Sequence, residues 1–205
     1  MKATELLRSL AKPSALGPSP SFNEFQLSKT LEVIGEGSIG RTALSHKLQI
    51  GEGATRTIID HLHAAGIIDV RKSGAVLTKK GQRVLNELNV KLGKRVRIEG
   101  MSIAVGTCVY GILVKGSADE VRVGIEQRDA AVRAGALGAV TVVFKKGRLY
   151  VPPADRSPPE EWTRDRDKIL EVFAPSEGDV IIICGAASER DAESGARAAA
   201  WTLLD

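Results

Sequence analysis

The chain has 205 residues, of which 26% are charged and 4% aromatic, a formal net charge of +4 and a sequence isoelectric point of about 9.1. That length suits one large or two small domains able to bury a core. No apolar run approaches the roughly 20 residues that span a bilayer, the first 20 residues lack a signal-peptide h-region, and Cys108 and Cys184 alone make neither a metal cage nor a disulfide framework; the expected location is cytoplasmic.

In chain order, the Pro-, Ser- and Gly-rich residues 12–20 read as a flexible entry, and residues 1–20 are expected to be a flexible N-terminal segment. Ser21-Phe22-Asn23-Glu24 is a capping-box pattern opening a helix to Ile34. Residues 41–48 form a helical unit, and Gln49 to Gly53 a glycine-rich break. Residues 54–65 form a second helix whose Ile58, Ile59, Leu62 and Ala65 point inward, with Gly66 as its stop. Two short apolar runs, 67–70 and 75–78, flank Arg71-Lys72-Ser73-Gly74 as a hairpin with a basic tip. Thr78 then caps a helix over 79–92 that ends at Gly93.

Helix, turn, helix, hairpin is the order of a winged helix-turn-helix, in which the second helix enters a DNA major groove and the wing reaches the backbone. The first turn of the second helix, Glu52, Gly53, Ala54, Thr55 and Arg56, is expected to face base edges. A forked Arg suits a guanine edge, and Thr suits a phosphate or a thymine methyl. Thr57, Asp60 and His61 fall nearer the groove walls. Arg71 and Lys72 on the wing, and Arg41 and Thr42 at the start of the preceding helix, suit phosphate oxygens. Residues 1–93 carry thirteen Lys/Arg against eight Asp/Glu, and residues 94–205 sixteen against seventeen, so the positive excess sits with this half.

The segment with Ile50-Gly51, Thr55-Arg56-Thr57 and Gly66-Ile67-Ile68 resembles the winged helix-turn-helix of many bacterial and archaeal transcriptional regulators. The whole layout also resembles uncharacterised archaeal winged-helix proteins. The resemblance implies double-stranded DNA as a partner and a winged-helix domain over 21–93.

In residues 94–205, residues 102–114 are strand-like, and Ser117-Ala118-Asp119-Glu120 is a second capping box opening a helix to Ala134. A strand over 139–144 turns at Lys145-Lys146-Gly147 into a short return over 148–151. Ser157-Pro158-Pro159-Glu160 is a third capping box before a helix over 162–173, 179–184 is a buried strand, and Ser188 caps a last helix to Leu204. With an extra strand over 95–99, the order β-α-β-β-α-β plus a terminal helix is that of a ferredoxin-like domain. The expected fold class is therefore α+β, a winged helix followed by a ferredoxin-like half. In layout it resembles the feast/famine regulators that sense amino acids, which implies a homodimer and a small-molecule effector.

Ligand candidates in this half are few. The Gly185-Ala186-Ala187-Ser188 turn could rest an anion on free N–H groups, although packing and capping is its plainer role. Arg128 and Arg190, in matching Arg-Asp-Ala runs, are the candidate carboxylate or phosphate binders. His61 and His63 point to different faces, so no metal site is expected, and no cofactor is implied. The alternatives are a winged helix fused to a catalytic domain or a protein-interaction adaptor. Residues 94–205 hold no histidine, Walker loop or nucleophile elbow, and spacing singles out none of Glu126, Asp129 and Asp155, so the expectation is a binding protein with no catalytic residue.

Overall fold

The computed structural model of the protein describes residues 2–12, 22–152 and 162–204. The chain is mixed α and β and divides into two compact units, Met1–Asn89 and Val90–Asp205.

The first unit contains α1 (Ala3–Leu10), α2 (Glu24–Gly35), α3 (Arg41–Leu48), α4 (Glu52–Ala64), β1 (Ile68–Arg71), β2 (Gly74–Leu77) and most of α5 (Lys79–Lys91). The α1 helix corrects the expectation of a flexible stretch over 1–20, of which residues 13–20 lie outside the described residues. Ala3, Leu6 and Leu7 recur at helical spacing and are buried, and the Ala3 N–H donates to the Glu87 carboxylate at 2.8 Å. Ser21 also lies outside the described residues. The N-cap of α2 is Asn23, which exchanges two 3.0 Å bonds with Gln26, one from each backbone N–H to the other's side-chain oxygen.

Leu27, Leu31, Leu44, Ile58, Leu62, Ile67 and Ile68 form the buried centre of this unit. β1 and β2 pair antiparallel from Ile68↔Leu77 to Arg71↔Gly74, and Ile39 bridges Ala75 on the outer side of β2. Gly74 has φ of +119°, and a Cβ there would press into the Ile39 backbone, so the wing folds flat only with glycine.

The second unit contains β3 (Leu92–Ile98), β4 (Cys108–Val114), α6 (Ile125–Arg133), β5 (Gly138–Lys145), β6 (Arg148–Tyr150), α7 (Thr163–Phe173), β7 (Val180–Ala186) and α8 (Glu189–Trp201). Its sheet runs β3-β4-β7-β5-β6, antiparallel throughout. β4 and β5 are therefore parallel, joined through α6 and split by β7. This corrects the ferredoxin-like expectation, in which the third strand of the β-α-β-β-α-β series would split that pair. The cause is burial. All seven residues of β7, VIIICGA, are buried, as a strand covered on both faces requires. The third strand, β6, has only three residues, and a two-residue turn at Lys146 (φ 52°) and Gly147 (φ 68°) holds it against β5 at the edge.

Further boundaries differ from the sequence reading. The hydroxyl of Ser117 donates to the Lys115 carbonyl at 3.1 Å, so only a 3-10 turn (Ala118–Glu120) forms there. α6 begins later, after Gly124 in the left-handed region. The extra strand is longer than expected and continues directly from α5. The run over 102–114 is broken, because Asp165, almost fully buried in the first turn of α7, accepts from Ser102 N (2.8 Å), Ser102 Oγ (2.8 Å) and Ile103 N (2.6 Å). The third capping box, at Ser157, lies outside the described residues, although the helix after it is present as α7.

α6 and α8 cover one face of the sheet, and Gly195 lets them approach, since a Cβ there would meet Ala136 at 2.5 Å. On the other face Ile169 and Phe173 of α7 pack with Ile98, Met101, Val109, Leu113, Val142, Ile181 and Ile183. No described helix is long and apolar enough to cross a membrane. Asp165→Ala would leave two backbone N–H groups of the 102–103 loop without their acceptor. The expected loss is about 2–3 kcal/mol, the cost of unsatisfied buried donors, read as a lowered urea midpoint by circular dichroism.

Candidate nucleic-acid interface

The turn between α3 and α4 is shorter than the sequence suggests. α3 ends with Gln49 in the left-handed region (φ 55°), Ile50 N donates back to the Ser45 carbonyl at 3.2 Å, and Gly51 is already the N-cap of α4. Three residues therefore separate the helices, as a helix-turn-helix needs. Leu44 and Leu48 of α3 and Ile58 and Leu62 of α4 are buried and fix which sides of the two helices face out.

Thr55 is corrected by this arrangement. It is fully buried, and its hydroxyl donates to the Gly51 carbonyl at 3.1 Å. It sits three residues before Ile58 and seven before Leu62, on the inward stripe, so it cannot meet a base. That spacing was the available signal. His61 is corrected as well: its Nδ1 lies 3.1 Å from the Leu10 carbonyl and its ring meets Phe22 edge-on at 5.4 Å, so it ties down the end of α1. The exposed positions of α4 include Gly53, Arg56, Thr57, Asp60 and His63, recurring every three to four residues.

Arg41, Thr42, Arg71 and Lys72 are exposed, as expected. Glu52, expected to face base edges, also joins the start of α4 to α3: it accepts from Thr42 Oγ1 at 3.0 Å and lies 3.7 Å from the Arg41 guanidinium. Arg71 lies 4.0 Å from Asp69, and Lys47 lies 2.7 Å from Glu36. Exposed pairs of this kind are worth at most about 1 kcal/mol, so a phosphate can replace the carboxylate at small cost. The hairpin tip is braced by Ser38, whose hydroxyl donates to the Ser73 carbonyl at 2.7 Å.

Three of the four ligand candidates of the second unit, Ser188, Gly185 and Arg128, are engaged by the chain itself. Ser188 accepts from Asp191 N at 3.1 Å and bonds the Asp191 carboxylate at 2.7 Å, which fills the turn with a negative charge. A Cβ on Gly185 would collide with the Val105 carbonyl, so that glycine serves close packing. Arg128 pairs with Asp129 through Nη2 at 3.0 Å, and Arg190 is exposed in the first turn of α8. Of the candidate carboxylates, Glu126 lies 3.9 Å from Arg122, Asp129 is paired as above, and Asp155 lies outside the described residues. Burial alone pushes the Cys184 thiol far above the ordinary thiol range. Among the described residues no group of three or more His, Cys, Asp or Glu could hold a metal ion.

Residues 26–92 match a family model described as the CggR N-terminal DNA binding domain. The first unit is thus similar to a DNA-binding domain of a regulator over these residues, which hold the helix, turn, helix, hairpin order of α3, α4, β1 and β2. Residues 105–203 match a model described as a domain of unknown function, DUF4443. A solved structure, a hypothetical protein from Pyrococcus horikoshii OT3, is 27% identical with a TM-score of 0.68, covering 86% of this chain and 91% of that one. No curated protein matches.

Gly53 offers a test of the face. It lies in the first turn of α4 with nothing within 4 Å of a built Cβ. Gly53→Ala should raise stability by about 0.5–1 kcal/mol while weakening retention on duplex DNA, because the added methyl stands between helix and groove. A melting curve and a gel-shift titration check the two halves, and unchanged retention would remove Gly53 from the face.

Proposed function

We propose that this chain is a transcriptional regulator that binds duplex DNA through its first unit and acts by binding rather than by turnover. The exposed side of α4 reads base edges, with Arg56 suited to guanine and Asp60 able to accept from a cytosine amino group. Thr57 lies beside them. Arg41 and Thr42 at the start of α3, and Arg71 and Lys72 on the wing, take phosphates and set register. The observation that carries this reading is the outward row Gly53, Arg56, Thr57 and Asp60, on the second helix of a helix-turn-helix whose residues match a DNA-binding domain. The second unit, in this reading, is the dimerisation or effector-sensing half, and α5 is the covalent connection through which it would act on DNA affinity.

The test is selection of bound fragments from random duplex DNA at near-physiological salt, with Arg56→Ala in parallel. The expected result is an enriched motif that is lost, or degraded at a guanine, in the variant; losing one bidentate contact costs about 1–3 kcal/mol of discrimination. Lys72→Ala should instead weaken all sequences alike and flatten the salt dependence. Motif-free retention equal in wild type and Arg56→Ala would overturn the reading in favour of an adaptor.

A further inference from the structure

α6 presents a face that the sheet does not use. Gln127 and Ala131 are buried, whereas Ile125 (50% exposed) and Val132 (48% exposed) stand on the outer side. Between them, on the same side at helical spacing, lie Arg128 and Asp129, with side chains 56% and 50% exposed. The outer stripe thus reads apolar, positive, negative, apolar over the eight residues from Ile125 to Val132. Val123 and Leu137, just beyond the two ends of the helix, are exposed as well.

That order is complementary to itself. An antiparallel second copy whose twofold axis passes between Arg128 and Asp129 sets Ile125 opposite Val132 of the second copy. It also sets Arg128 opposite Asp129 of the second copy, and the same contacts repeat across the axis, as an isologous interface requires. A parallel copy would oppose like charges. The Arg128–Asp129 pair within one chain would be exchanged for pairs between chains at little net energetic cost, so the charges fix orientation and the apolar ends supply the burial.

We infer that the outer face of α6 is the surface through which two copies of this chain associate, in an antiparallel arrangement about the Arg128–Asp129 step. The inference rests on the reading of the second unit as a dimerisation half and names where that contact lies.

The experiment is sedimentation equilibrium of the full chain without DNA, on wild type, Arg128→Asp, Asp129→Arg, the double swap and Val132→Lys, with circular dichroism on each. Wild type is expected at twice the chain mass. Each single reversal sets like charges across the axis and should bring the mass to that of one chain. The double swap should restore the doubled mass, which a merely damaged fold would not do. Val132→Lys, at a half-exposed position, is expected at single mass with unchanged helicity and serves if a reversal perturbs folding. A wild type of single mass, or a doubled mass indifferent to all four variants, overturns the inference. Because no DNA is present, and Arg56→Ala should keep the doubled mass, failure of this surface is distinguishable from failure of the DNA reading.

Discussion

What the first unit can show to a ligand is decided by what α4 must hide. Thr55, Ile58 and Leu62 are pinned against the core that includes Leu44 and Leu48 of α3, and a helix held along one stripe has no rotational freedom left. The outward row is then set without further choice. Moving that stripe on by a single position would bury Arg56 and His63 and turn Leu62 towards solvent, so the core and the candidate interface form one constraint. Glu52 adds a second lock by joining the starts of the two helices through Thr42 and Arg41.

In the second unit the corresponding constraint is β7. A seven-residue strand with every side chain buried needs cover on both faces and a neighbour on both edges. α6 and α8 supply one cover and α7 the other, while β4 and β5 supply the edges. Space is so limited that several contacts run through glycine: Gly111 under Phe173, Gly185 under Val105 and Gly195 against Ala136.

The sequence is informative where structure is local. The helices α3 and α4, the wing and the hairpin at Lys146-Gly147 arise from periodicity and turn chemistry over a few residues. Strand order is different in kind, because β4 and β7 are paired across about seventy residues and no spacing rule links them. Element order alone favoured the ferredoxin-like arrangement, and the contrast between the apolar VIIICGA and the three-residue RLY was the missed clue. At the interface, residue type outweighed position in the reading of Thr55: Thr suits DNA chemically, but its register with Ile58 and Leu62 sends it inward. The buried Asp165 carried no sequence signal, since its partners are two backbone N–H groups and a hydroxyl some sixty residues away. The proline-rich stretch drew the reading away from the short apolar repeat of α1.

The two units also differ in what light and thiol chemistry can see. Trp162, Trp201, Tyr110, Tyr150 and both cysteines all lie after Asn89, whereas the first unit has phenylalanine as its sole aromatic residue type apart from histidine. Trp201 is buried at the end of α8, and Cys184 is buried in the central strand. Intrinsic fluorescence and thiol labelling therefore watch the second unit while the first stays dark. A change in tryptophan emission on adding an oligonucleotide would be a direct record of communication between the halves, in the unlabelled, unmodified chain.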